Sequence, residues 1–146
     1  MEGLTIRVRQ ERDRAAIDAV MRRSPEAAGW APEGDAGLAC WVGETGVGVV
    51  GFVVARAVAD EVEILNLAVD PSARRRGAGA ALLAAALEHG RCAGARGAFL
   101  EVRQSNRAAI GFYERHGFVR TGLRRGYYRD PEEDALLMGL ALPDPA

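Results

Sequence analysis

The chain of 146 residues contains no lysine, so its 19 strongly basic side chains are all arginine. That absence excludes several chemistries. There can be no Schiff-base or pyridoxal lysine and no Walker lysine on a nucleotide phosphate. Any phosphate bound here must be held by arginine and backbone N–H groups. Arginine and alanine richness together point to a GC-rich coding bias, but the exclusions hold whatever the cause. A surplus of one charge is missing too. The 20 carboxylates leave a formal net charge of -1, which removes the electrostatic footprint of a general nucleic-acid binder.

Cysteine and histidine are scarce. Cys40 and Cys92 lie far apart and form no C-x-x-C pair, with only His89 and His116 beside them. No metal is expected from such a set, and two separate thiols suit a reducing cytoplasm better than a disulfide-built secreted domain. Met1-Glu2-Gly3-Leu4-Thr5 starts acidic and lacks a signal-type apolar stretch. Charges or glycines interrupt every apolar run short of the roughly 18 residues a membrane helix needs. The expectation is a soluble cytoplasmic protein with neither membrane nor direct nucleic-acid partners. One domain over 1–146 is the default at this length, burying roughly 68–70% of the unfolded chain's surface.

What is present has a clear order. Leu4 to Arg9 alternates apolar and polar as a half-buried strand does. Asp13 to Arg23 carries helical spacing through Ile17, Val20 and Met21, and the proline- and glycine-rich stretch from Ser24 to Gly37 predicts a loop or broken short helix. Ala39 to Val42 and Val47 to Ala55 predict a hairpin turned at Glu44-Thr45-Gly46. A strand follows over Glu61 to Val69, then a helix from Gly79 to about Gly90 on the stripe Leu82, Leu83, Ala86 and Leu87. Ala98 to Val102 predicts a strand, and Arg107 to His116 a helix ended by Gly117. Two last strands, about Phe118 to Arg124 and Ala135 to Ala141, flank an acidic turn at Asp130 to Asp134. This order predicts an α/β (α+β) domain on one sheet, with no internal repeat.

Chemistry concentrates in two places. Between the Glu61–Val69 strand and its helix lies Arg74-Arg75-Arg76-Gly77-Ala78-Gly79-Ala80. Small residues at a helix N-terminus let backbone N–H groups approach an anion, and the dipole there favours negative charge. The spacing is neither a Walker loop nor the dinucleotide G-x-G-x-x-G pattern; a solvated basic turn is the plain alternative, a pyrophosphate-bearing ligand the functional one. Farther on, Phe99-Leu100-Glu101-Val102 puts one carboxylate in an apolar strand, on the face opposite Leu100 and Val102. A strand glutamate often only faces solvent, but half-buried beside a cleft it suits a general base. Asn106 can cap the next helix. Two turns later Tyr113 projects from nearly the same face, where it can pack in the core or donate a proton to a leaving group.

These residues resemble the GNAT superfamily of N-acetyltransferases. Arg74-x-x-Gly77-x-Gly79 is similar to its acetyl-CoA pyrophosphate turn, and Asn106-x-x-Ala109-x-x-x-Tyr113-Glu114-x-x-Gly117-Phe118 to its second signature. A narrower resemblance, to the bacterial ribosomal-protein-alanine N-acetyltransferases, is carried by Leu67-Ala68-Val69-Asp70-Pro71 and Leu100-Glu101-Val102-Arg103-x-Ser105-Asn106. Arg124-Arg125-x-Tyr127-Tyr128 and Glu133-Asp134-Ala135-x-x-Met138 extend it. The resemblance implies a GNAT-type domain with a central, mostly antiparallel mixed sheet of about seven strands flanked by helices. It implies Glu101 as proton acceptor and Tyr113 as proton donor. Acetyl-CoA, the implied co-substrate, would be contacted by Leu67, Ala68 and Val69, by Arg74, Arg75, Arg76, Gly77, Ala78, Gly79 and Ala80, and by Asn106. The implied acceptor is a protein or peptide N-terminus, an alanine α-amine of a ribosomal protein, with Trp30, Tyr127 and Tyr128 as candidate substrate contacts beside the acidic turn. One departure stands out: the family's Pro-Trp pair after its first helix is here split, as Pro25, Trp30 and Pro32. A small-molecule amine or a protein lysine is the alternative acceptor. A non-catalytic acyl-CoA-binding module is the alternative class, and ribosome association through an arginine patch a third reading.

Overall fold

Alternating and β-branched segments become strands, and the two apolar stripes between them become helices that cover the sheet. The computed structural model describes residues 3–24, 37–74 and 77–143. Trp30, Arg75, Arg76 and nearly all of the 24–37 loop lie outside those residues. The strands are β1 (Thr5–Val8), β2 (Leu38–Thr45), β3 (Gly48–Val58), β4 (Glu61–Val69), β5 (Gly97–Arg103), β6 (Val119–Tyr128) and β7 (Glu133–Ala141). The helices are α1 (Arg14–Arg22), α2 (Ala78–Cys92) and α3 (Arg107–Arg115). Among the described residues these strands form one seven-stranded sheet in the order β1-β2-β3-β4-β5-β7-β6. Every pairing is antiparallel except β4 with β5.

Two boundaries differ from expectation for local reasons. The first hairpin turns at Gly46-Val47, because Glu44 and Thr45 still pair with β3 and Gly48 supplies a left-handed φ of 114°. The last hairpin is longer, with β6 running to Tyr128. Its ladder shifts register between Arg124 and Tyr128, around Gly126 at φ 60°. The Asp134 carboxylate takes the Gly126 N–H at 2.8 Å and fixes that bulge.

The sheet separates two apolar layers. Ile17 and Val20 of α1 pack on Val42, Phe52, Val54 and Ala68. On the other face Leu82, Leu83 and Ala86 of α2 and Ile110 and Tyr113 of α3 share a core with Val53, Val62, Ile64, Leu100, Val102 and Met138. The α2 helix lies close to the sheet because Gly90 has no side chain. A Cβ there would come within 2.8 Å of Val62 Cγ1.

Candidate active site

The parallel pairing of β4 with β5 is short. It runs from Glu61↔Gly97 to Ile64↔Leu100 and stops. At that point Leu65 is an extra residue in β4, since Val54 pairs with Asn66 and Ala55 with Ile64. The bulge also reverses which residues face α2 and α3. Val62 and Ile64 do so before it, Leu67 and Val69 after it. Beyond the bulge the Asp70 N–H donates to Val50 O at 2.7 Å, which makes Gly51↔Val69 a non-hydrogen-bonded pair. The N–H and C=O of Val69 therefore point away from β3, into the space β5 leaves open. Ladder alternation gives Leu67, opposite Val53, the same direction. Arg74 Nε donates to the Val69 carbonyl at 3.1 Å, while its Nη2 donates to Ser24 Oγ at 3.2 Å.

A cleft of about 640 Å³ runs along this opening. One wall is Leu67, Ala68, Val69, Arg74, Gly77, Gly79 and Ala80; the other is Arg107, Ala108, Ala109, Phe112, Tyr113 and Arg115. The N-terminus of α2 points its first amides at it. Gly77 is left-handed at φ 88°, with no described residue within 4 Å of where a Cβ would stand. The N–H groups of Ala78, Gly79 and Ala80 precede the first intrahelical donor, Ala81, whose N–H bonds Gly77 O at 3.0 Å. Amides so placed at the positive end of a helix dipole suit an anion. Gly79 is small for another reason than an approaching phosphate: its Cβ would sit 3.2 Å from the Phe112 ring. The Ala78 side chain, 1% exposed, turns into the core, leaving only its backbone for a ligand.

Tyr113 is buried at the floor of the cleft, edge-on to Phe112 and Phe118 at ring distances of 5.2 and 5.4 Å. Burial raises its phenol pKa and keeps it protonated. Glu101 stands on the sheet's other face, where β5 alternates it with the core residues Leu100 and Val102. Its side chain is 15% exposed, and Arg124 Nη2 lies 3.2 Å from Oε1. The Tyr127 hydroxyl donates to the same carboxylate, which raises the Tyr127 pKa. The Arg124 guanidinium also lies over the Tyr127 ring, 4.9 Å from its centre. Glu101 and Tyr113 thus flank the opening between β4 and β5 from opposite faces.

Other predicted residues have local partners. Asn106 is the N-cap of α3, its Oδ1 accepting from Ala109 N–H at 3.2 Å, and it does not line the cleft. Tyr127 and Tyr128 adjoin each other edge to face at 5.1 Å. Tyr128 lies under the Arg103 guanidinium, 4.5 Å from the ring centre, and burial pushes its pKa up to about 12. The acidic turn does not present its two strand carboxylates to a ligand. Glu133 accepts from Ser105 N–H at 2.6 Å and Arg103 at 3.2 Å, bonds that hold its carboxyl below the usual range. Asp134 is committed to Gly126. Sequence reading missed the α3 wall, although Ala108, Phe112 and Arg115 share one face at i, i+4 and i+7. Among the described residues no three His, Cys, Asp or Glu side chains gather as a metal would require, and no helix is long and apolar enough to cross a membrane.

Comparison with known proteins agrees with this geometry. Residues 6–118 match the Acetyltransferase (GNAT) family. The ribosomal protein bS18-alanine N-acetyltransferase of Escherichia coli strain K12 is 42% identical over 93 residues, a match spanning 62% of this chain and 63% of that relative, just under two thirds of its length. The crystal structure of the ribosomal-protein-S18-alanine N-acetyltransferase from Escherichia coli superimposes with a TM-score of 0.79 at 30% identity, covering 98% of this chain and 96% of that one. Nourseothricin acetyltransferase shares the fold, with a TM-score of 0.82 at 24% identity over 97% of this chain and 99% of that one. A family match over residues 6–118, most of the chain, means that the chain belongs to the GNAT family of acetyltransferases.

Proposed function

We propose that this protein is an acetyl-CoA-dependent N-acetyltransferase acting on a protein α-amine, with the N-terminal alanine of a ribosomal protein as its acceptor. One observation carries the reading: outward-facing amides of β4 line an opening that has a carboxylate on one face and a buried, protonated phenol on the other. The residues present fit acetyl-CoA. The α2 amides from Ala78 to Ala80 suit its pyrophosphate, and the N–H and C=O of Leu67, which point away from β3, suit an amide-bearing arm laid in as an added strand. When bound, it supplies an acetyl group as a thioester.

The residues of the chain then divide the work. An α-ammonium has a pKa of about 7.7–8.0, so a carboxylate within reach, directly or through one water, suffices to free its lone pair. Glu101 takes that proton. The Val69 N–H, free of β3, donates to the carbonyl oxygen as negative charge develops there. Tyr113 gives its proton to the departing sulfur and recovers one from the nitrogen, which loses its second proton as the amide forms. Across the cycle one acetyl group moves from sulfur to nitrogen and one proton reaches solvent.

The alanine α-amine is the acceptor named for the Escherichia coli relative. Mass-spectrometric acetylation of a panel of N-terminal peptides, run beside polyamines, aminoglycosides and a lysine peptide, tests enzyme identity and acceptor together. Modification of the alanine-initiated peptides is expected. Acetylation of the small amines alone would move the acceptor class, and tight acetyl-CoA binding with no product on any amine would make the chain a binding module.

A further inference from the structure

Glu101 faces a problem that any shielded carboxylate poses. Its side chain is 15% exposed, and a charge so placed is costly to leave without a counter-charge. The resting protein supplies one. Arg124, two strands away on β6, reaches across β7 to put Nη2 at 3.2 Å from Oε1. The guanidinium itself is 53% exposed, and its other contact on this side is the open ring of Tyr127 at 4.9 Å. An ion pair with one partner half in water is weakly held. The partner can therefore leave at little cost, provided that another cation replaces it.

The neighbouring carboxylates on this face are differently placed. Glu63 of β4 is held by Arg56 at 2.9 Å, a contact between adjacent strands at paired positions. Glu133 is held by the Ser105 amide and by Arg103. Neither adjoins the opening between β4 and β5 as Glu101 does.

We propose that Arg124 is a resident competitor for the acceptor: its guanidinium occupies the cation position of Glu101 until an incoming ammonium group displaces it into solvent. This rests on Glu101 being the acceptor-side base. Glu101 then keeps one positive partner throughout, first Arg124 and then the acceptor. The Tyr127 hydroxyl stays bonded to the carboxylate during the exchange and holds its orientation. Arg124 is thus a positioning and gating residue rather than a catalytic one, and the protein screens acceptors by requiring enough positive charge at the amine to compete.

Displacement can be read without turnover. An amidated peptide opening with alanine is titrated by calorimetry into the protein saturated with free coenzyme A, for the wild type, Arg124→Gln and Arg124→Lys. The N-acetylated form of the same peptide, which lacks the ammonium charge, is the control. Arg124→Gln is expected to lower the Kd of the charged peptide by about two- to fivefold, the range for a half-exposed ion pair. Arg124→Lys keeps a competing cation and should stay near the wild-type value, while the acetylated peptide should bind all three proteins alike. A Kd that is unchanged or raised for the charged peptide in Arg124→Gln overturns the proposal. Equal tightening of both peptides also overturns it, because Arg124 would then be a steric plug. Failure of the wild type to acetylate any amine would instead remove the enzyme reading, a separate outcome from a separate assay.

Discussion

Ile64 and Leu100 are the last residues to pair across β4 and β5, and the sheet opens beyond them. The cause is local: the extra residue Leu65 turns β4 away from its parallel neighbour while β4 stays zipped to β3. A gap in a buried sheet exposes backbone groups that cannot be left without partners. Here they are the N–H and C=O of Leu67 and the N–H of Val69, whose carbonyl Arg74 holds. A sheet interrupted in this way is an unfinished ladder, and its complement is a ligand that carries amides.

The carboxylate beside that gap can be tested by isosteric replacement. Glu101→Gln keeps the shape of the side chain and removes its ability to accept a proton. Turnover should fall by about 10²–10⁴, with acetyl-CoA affinity by calorimetry unchanged. Full activity in this variant would mean that the amine loses its proton elsewhere.

Tyr113 makes the complementary test. Its ring packs between Phe112 and Phe118, so Tyr113→Phe preserves the aromatic cluster and deletes only the hydroxyl. The melting temperature should hold while kcat falls by up to about 10²–10⁴. Burial has raised the phenol pKa, so the folded state favours the neutral form. That contribution is complete below the unfolded value of about 10 and is lost as pH rises toward the folded one. The variant should consequently resist alkaline unfolding better than the wild type. An unchanged kcat would leave Tyr113 as core packing alone.

Much of this was legible in the sequence, for physical reasons that differ by element. The β4 strand ends where predicted because Asp70-Pro71 cannot continue it, and α3 ends at Gly117 because that residue is left-handed, φ 94°. Alternation placed Glu101 opposite Leu100 and Val102 with no knowledge of the fold. The bulge at Leu65 was invisible. The run Ile64-Leu65-Asn66-Leu67 reads as one continuous strand, and only its pairing with β3 shows the slip. Charge in the acidic turn says nothing of partners: Glu133 and Asp134 serve the Ser105 and Gly126 amides. Asn106 is the helix cap that its residue type predicts at the start of α3.

The helix N-terminus can be probed at Gly77, where open space separates charge from packing. No described residue lies within 4 Å of a Cβ there, so among the described residues the cost to the fold is the left-handed φ of 88°. That strain is roughly 1–2 kcal/mol for an ordinary residue, and aspartate tolerates the region better than most. Gly77→Asp should fold and lose acetyl-CoA affinity by about tenfold or more, one unit of opposing charge at the dipole's positive end. Gly77→Ala, equally strained and uncharged, should lose less. Equal affinity in both variants, measured by calorimetry, would separate the α2 amides from the pyrophosphate.

Asp13 anchors the other end of the sheet, and its ionisation should set part of the acid limb of stability. The carboxylate is 3% exposed. It accepts from Arg7 at 2.8 and 2.9 Å and from the Gln10 amide at 2.7 Å. These bonds, those of Arg7 foremost, lower its pKa to about 2. The folded value lies below the unfolded value of about 3.9, so the native state favours the charged form. The stabilisation is complete above about pH 4 and is lost as pH falls through about 2, a change on the order of 2 kcal/mol. Asp13→Asn should be destabilised by that order at neutral pH, read from the midpoint of denaturant unfolding. The gap between the two proteins should close progressively toward pH 2, roughly the folded pKa itself. A gap that stays constant across the acid range would assign the effect to packing at the start of α1 and not to the charge.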